Sequence, residues 1–205
     1  MIISPKYKFV FLATEKTGSS SVHYSLESVN DEKLMVGNIV PKDFSYPKSV
    51  IGKKLFTWKH TSCGELCDYH ELYKKYFKFA FVRNPWDRVV SWYAFSKKIA
   101  NPPNDRDVSG IDFKTYIKKF KNIWGNDQQN QYEFTKCCDF RGRYENIQQD
   151  FDIVCDKIGI PKQQLPHDNK SNHKHYTEYY DNETRQIVAK KYAKDIEYFE
   201  YEFGK

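Results

Sequence analysis

Near-continuous apolar and aromatic runs punctuate an otherwise polar chain, and each run hands over to a different periodicity. Residues 7–13 (Tyr-Lys-Phe-Val-Phe-Leu-Ala) and 77–82 (Phe-Lys-Phe-Ala-Phe-Val) are too short for buried helices and rich in aromatic and β-branched residues, which predicts buried strands. Leu55-Phe56-Thr57-Trp58 predicts another strand, running into Lys59-His60. After the first run a polar turn, residues 14–20, leads into a helix from Ser21. After the second, Asn84-Pro85-Trp86-Asp87 leads into a segment with Val89, Val90, Trp92, Tyr93 and Phe95 at helical spacing. Further helices are predicted over residues 113–120, 147–158 and 182–198, the last capped by Asp181 or Asn182. Loops are predicted at Asn101-Pro102-Pro103-Asn104-Asp105 and over 161–172. Alternation of strands and helices argues for an α/β fold with a central, mainly parallel sheet.

Composition narrows the class without choosing a function. The 205 residues suit a single domain spanning 1–205, with 16 Tyr and 15 Phe promising an aromatic-rich core. A formal charge of +6 favours anionic ligands in general. Lys6 and Lys8 interrupt the apolar start, which argues against a secretory signal, and no run approaches the ~18 apolar residues of a membrane span. The five cysteines (Cys63, Cys67, Cys137, Cys138, Cys155) are an odd number with no zinc-ligand spacing, so reduced thiols in a cytoplasm are expected, and no metal.

The chemistry concentrates in the two strand-to-helix turns. Glu15-Lys16-Thr17-Gly18-Ser19-Ser20-Ser21 joins a cation, a glycine and hydroxyls to a helix N-terminus, where unbonded N–H groups and a partial positive charge attract phosphate. The lysine precedes the glycine, the reverse of the Walker A order, and no magnesium-binding carboxylate follows an apolar strand. Both facts count against a kinase or NTPase. In the second turn Arg83 ends the strand and Ser91 lies two turns into the helix, a guanidinium and a hydroxyl suited to a second phosphate. A nucleic-acid-binding module would explain charge and aromatics, but not two phosphate turns that each leave a strand.

Together these stretches resemble the nucleotide-binding segments of the PAPS-dependent sulfotransferase superfamily (PAPS is 3′-phosphoadenosine 5′-phosphosulfate). The pattern is most similar to the carbohydrate sulfotransferases of the chondroitin, dermatan and heparan 2-O type and their short microbial homologues. Gly142-Arg143-Tyr144-Glu145-Asn146, Leu165-Pro166-His167, Asn169-Lys170-Ser171 and the end of the chain agree with it. Where many relatives have proline before the loop lysine, this chain has Glu15.

The resemblance implies a P-loop-like three-layer fold, PAPS as co-substrate, PAP as product, and a hydroxyl acceptor, with a glycan as the leading class. It also implies that Lys16, Thr17, Gly18, Ser19, Ser20 and Ser21 hold the 5′-phosphosulfate, with Lys16 also catalytic, and that Arg83 and Ser91 hold the 3′-phosphate. Lys170, Ser171, Lys174 and Tyr176 would close over the nucleotide. The heparan 2-O-type enzymes carry a catalytic histidine a little over twenty positions before the arginine. His60 keeps that spacing to Arg83 and is the expected base. A nucleotide-binding protein without turnover is the remaining alternative. Gln129 and Gln131 are weighed as acceptor-facing residues or plain helix surface.

Overall fold

Alternating side chains of the two apolar runs bury on opposite faces of one sheet. The computed structural model describes residues 1–28, 35–36, 75–98, 108, 110–123, 130–166 and 174–205. The Leu55-to-Trp58 strand, the 101–105 loop, His60, Gln129, Lys170 and Ser171 lie outside them. Strands β1 (Ile2–Ser4), β2 (Phe9–Leu12), β3 (Met35–Val36), β4 (Phe77–Val82) and β5 (Phe140–Arg143) form a sheet in the order β3-β1-β2-β4-β5. β1 is antiparallel to both neighbours, whereas β2, β4 and β5 pair in parallel, so among the described strands β1 alone is reversed. The fold is α/β with a mainly parallel sheet flanked by helices, as expected.

The chain forms two compact units, one of residues 1–82 and 133–169, the other of 83–132 and 170–205. In the first, Phe9, Phe11, Phe79 and Phe81 point to one face of the sheet. There they meet Val22 and Leu26 of α1 (Ser19–Ser28) and Phe151, Val154 and Cys155 of α5 (Ile147–Ile158). Phe79 stands at the centre, its ring 5.2 Å from that of Phe11 and 5.7 Å from that of Phe9. Val10, Leu12 and Ala80 face the other way, with Ile3, Phe134 and Cys138. Burial of both faces explains why these strands read as continuous apolar runs.

The second unit packs α2 (Pro85–Ser96), α3 (Phe113–Ile123), α6 (Asn182–Lys191) and α7 (Ala193–Phe199) around Trp86, Tyr93, Tyr116, Val188 and Tyr192. The short helix α4 (Gln131–Thr135) lies where the chain passes from the second unit back to the first. Asp181, not Asn182, caps α6: its carboxylate accepts from the Thr184 N–H while the Thr184 hydroxyl reaches back to the Asp181 N–H. The single helix expected over 182–198 is two, divided at Tyr192 (φ −108°, ψ 28°).

One thiol expectation needs correcting. Cys137 is disulfide-bonded, not reduced, whereas Cys138 and Cys155 are buried thiols. Burial, helped by the negative charge of Asp152, pushes the Cys155 thiol up to about 11, too weak an acid to serve as a nucleophile near neutrality.

Candidate functional site

The first turn combines left-handed backbone with a helix start. β2 ends at Leu12 and α1 begins at Ser19, and between them Lys16 and Gly18 take left-handed φ of 63° and 75°. Such backbone is costly for lysine and tolerated by glycine. A Cβ on Gly18 would crowd the tip of the Ile147 side chain and lie 3.2 Å from Tyr144 Cδ2, so another residue would combine strained backbone with displaced neighbours. Tyr144, in the 3-10 turn (Tyr144–Asn146) after β5, and Ile147 at the start of α5 are the side chains that lie against Gly18. Gly142 also has no room for a Cβ, which would meet the Phe81 ring at 2.5 Å.

Helix α1 opens without an acidic residue in its first turn, and Gly18, just before it, has no side chain with which to cap. The first N–H groups of a helix lack intrahelical acceptors and draw negative charge. Ser19 is nearly buried, with Ser20 and Ser21 half exposed. Thr17 is buried and its hydroxyl donates to the Thr14 carbonyl at 2.9 Å, so that proton is committed within the loop. At the start of the loop, Thr14 Oγ1 is buried with no hydrogen-bond partner. Left-handed backbone at Lys16 and Gly18, before a helix whose first turn has no acidic residue, suits an anionic ligand.

The second turn belongs to the other unit. Asn84 caps α2 by accepting from the Trp86 N–H (3.1 Å), and Pro85 occupies the first helical position. The amide of Asn84 also donates to the Glu202 carbonyl (3.0 Å), tying the helix start to the end of the chain. Arg83 is buried, and its Nε donates to Asp87 Oδ2 at 2.8 Å. That bond uses one of the five N–H donors of a guanidinium and fixes its plane. Asp87 and Ser91 follow at four-residue steps on one face of α2, Ser91 also buried.

Behind Arg83 lies a network the sequence did not reveal. The Gln131 carboxamide is fully buried, accepting from the Arg83 N–H (2.8 Å) and donating to the Arg83 carbonyl (2.9 Å). It therefore neither faces an acceptor nor lies on a helix surface. Asp195, also fully buried, accepts from the N–H groups of Gln131 (2.9 Å) and Tyr132 (2.8 Å). Burial pushes the Asp195 carboxyl above the usual range, against the opposing pull of those donors and of Arg88.

Of the late segment, Tyr176 is buried and its hydroxyl accepts from the Gly204 N–H (2.6 Å), while Lys174 is exposed and pairs with Glu178 (3.6 Å). Trp86 and Trp92 are core residues. Among the described residues no cluster of His, Cys, Asp or Glu is arranged to hold a metal, and no helix is long and apolar enough to cross a membrane.

Two strand-to-helix turns follow the parallel neighbours β2 and β4 of an α/β fold. The sequence matches the model of the Sulfotransferase family over residues 1–202. The chain belongs to that family, whose members are PAPS-dependent transferases. An uncharacterized protein of Archaeoglobus fulgidus is 32% identical over 100 residues, which cover 45% of this chain and 76% of that protein. The fold is similar to that of mouse sulfotransferase SULT7A1 complexed with PAP, at TM-score 0.59 and 13% identity, over 93% of this chain and 85% of that one. It is also similar to a sulfotransferase from Alicyclobacillus acidocaldarius, at TM-score 0.50 and 13% identity, over 94% of each chain.

Proposed function

We propose that the protein transfers the sulfuryl group of PAPS to a hydroxyl of a carbohydrate acceptor and releases PAP. The observation that carries this reading is the 14–21 turn: left-handed Lys16 and Gly18 at the end of a buried parallel strand, opening into a helix with no acidic residue in its first turn. The mouse relative bound to PAP supports the nucleotide, and the carbohydrate acceptor rests on the sequence resemblance alone.

In this reading the acceptor oxygen attacks sulfur in line, the bond from sulfur to the bridging oxygen breaks, and negative charge grows on that oxygen. Lys16 and the N–H groups at the start of α1 neutralise it, an electrostatic contribution that strengthens as the bond breaks. His60 takes the acceptor proton. Arg83 and Ser91 bind the 3′-phosphate, which separates PAPS from ATP, and Lys170, Ser171, Lys174 and Tyr176 complete the nucleotide enclosure.

Thermal unfolding with added nucleotide tests the donor. At ~100 times its dissociation constant, PAP should add about 2.7 kcal/mol, or roughly 5–10 °C in a chain of this length. ATP should add far less, and Arg83→Ala should remove the PAP-induced increment. An equal response to ATP with Mg²⁺ would overturn the reading in favour of an NTPase.

A further inference from the structure

The β4–β5 ladder stops at the pair Val82 and Arg143, and the next residue, Arg83, has no further strand rung in that ladder. Burying a main-chain N–H and C=O without partners costs about 1–3 kcal/mol for each group. At Arg83 one side chain satisfies both: the Gln131 carboxamide bonds the N–H through Oε1 and the C=O through Nε2. A carboxamide carries the same donor and acceptor pair as a peptide group, so it can stand in for a rung of sheet.

The orientation of that amide is dictated from behind. Gln131 Nε2 lies 3.3 Å from Asp195 Oδ2, and the same oxygen accepts the Gln131 main-chain N–H. A carboxylate accepts and does not donate, so it holds the NH₂ end of the amide and turns Oε1 toward the Arg83 N–H. Asp195 is itself fixed by the Tyr132 N–H and by the charge of Arg88. Arg83 is thus restrained twice, at its main chain by Gln131 and at Nε by Asp87.

We propose that Gln131, oriented by Asp195, is a positioning residue for Arg83 that sets its grip on the 3′-phosphate and hence the preference for 3′-phosphorylated nucleotides. The inference rests on reading Arg83 as the 3′-phosphate ligand. The fork geometry of a guanidinium rewards alignment, so a residue that fixes the arginine backbone tunes a phosphate contact without touching it.

Calorimetric titration with PAP and with AMP, which lacks the 3′-phosphate, tests it in wild type, Gln131→Met and Gln131→Asn. Wild type should prefer PAP. Gln131→Met removes both bonds to Arg83 and should reduce that preference roughly tenfold or more, through weaker PAP binding with AMP affinity within about twofold of wild type. Gln131→Asn keeps the carboxamide but withdraws it by one carbon, and should give a smaller loss. It also supplies the reading if Gln131→Met does not fold. Unchanged PAP-to-AMP preference in the folded variant, even with a lower melting temperature, would overturn the proposal and leave Gln131 a purely structural residue. A wild type that does not distinguish PAP from AMP would overturn the Arg83 reading as well.

Discussion

Gly18 shows how much a single residue of the first turn has to satisfy. It takes left-handed backbone, and a methyl group there would crowd the tip of Ile147 and the Tyr144 ring, which would have to shift. Gly18→Ala should therefore cost about 2–4 kcal/mol from strained φ and overpacking together, roughly 5–15 °C in melting temperature. Nucleotide binding should weaken with it, because relief of the clash displaces the N–H groups around the turn. A variant with wild-type melting temperature would show that Ile147 and Tyr144 yield easily. The order lysine, glycine, serines was legible in the sequence because the chemistry is local. Gln131 and Asp195 were not, since their bonds join positions 48 and 64 apart and no local pattern announces such pairs.

At the scale of elements, legibility followed length and burial. β4 and α5 begin and end where the sequence suggested, because buried runs and amphipathic spacing mark them without competition. β1 is three residues long and β5 reads Phe-Arg-Gly-Arg, so neither offers a periodic signal. Both exist because the sheet supplies partners. The break at Tyr192 hid for a different reason. The Tyr192 N–H still bonds the Val188 carbonyl and the Ile196 N–H the Tyr192 carbonyl, so apolar spacing runs through the bend.

The N-terminus of α6 carries a prediction of its own. Lys114 of α3 lies 2.7 Å from Asp181 and 3.0 Å from Glu183, with Lys118 2.8 Å from Glu183. The Lys114 ammonium, with the Thr184 donors, holds the Asp181 carboxyl far below the usual range, and Lys118 and Lys114 lower Glu183. Because these folded-state values are depressed, the pairs stabilise above the unfolded carboxylate pKa of ~4 and lose that contribution as pH falls through the folded values. Lys114→Ala should melt a little lower than wild type at pH 7, and the gap should shrink steadily below about pH 4. A gap independent of pH would mean that Lys114 acts through packing of its stem instead of its charge.

Over the whole molecule, 33 Lys and Arg against 27 Asp and Glu leave a formal charge of +6, and the field of that excess reaches any anion that approaches. PAP carries two phosphate groups, each with a charge of about −1.5 to −2 near neutral pH. The Debye length is ~10 Å at 0.1 M salt and shortens as salt is added, so attraction from lysines beyond the immediate contacts is screened first. Raising sodium chloride from about 50 to about 300 mM should therefore weaken PAP binding by roughly five- to tenfold while leaving neutral adenosine unchanged. The residual affinity at high salt measures what the turns contribute at contact distance, since buried groups such as Arg83 are screened least. Insensitivity of PAP to salt would place recognition almost wholly in short-range hydrogen bonds, and an equal loss for adenosine would trace the effect to the protein's own stability instead of to charge.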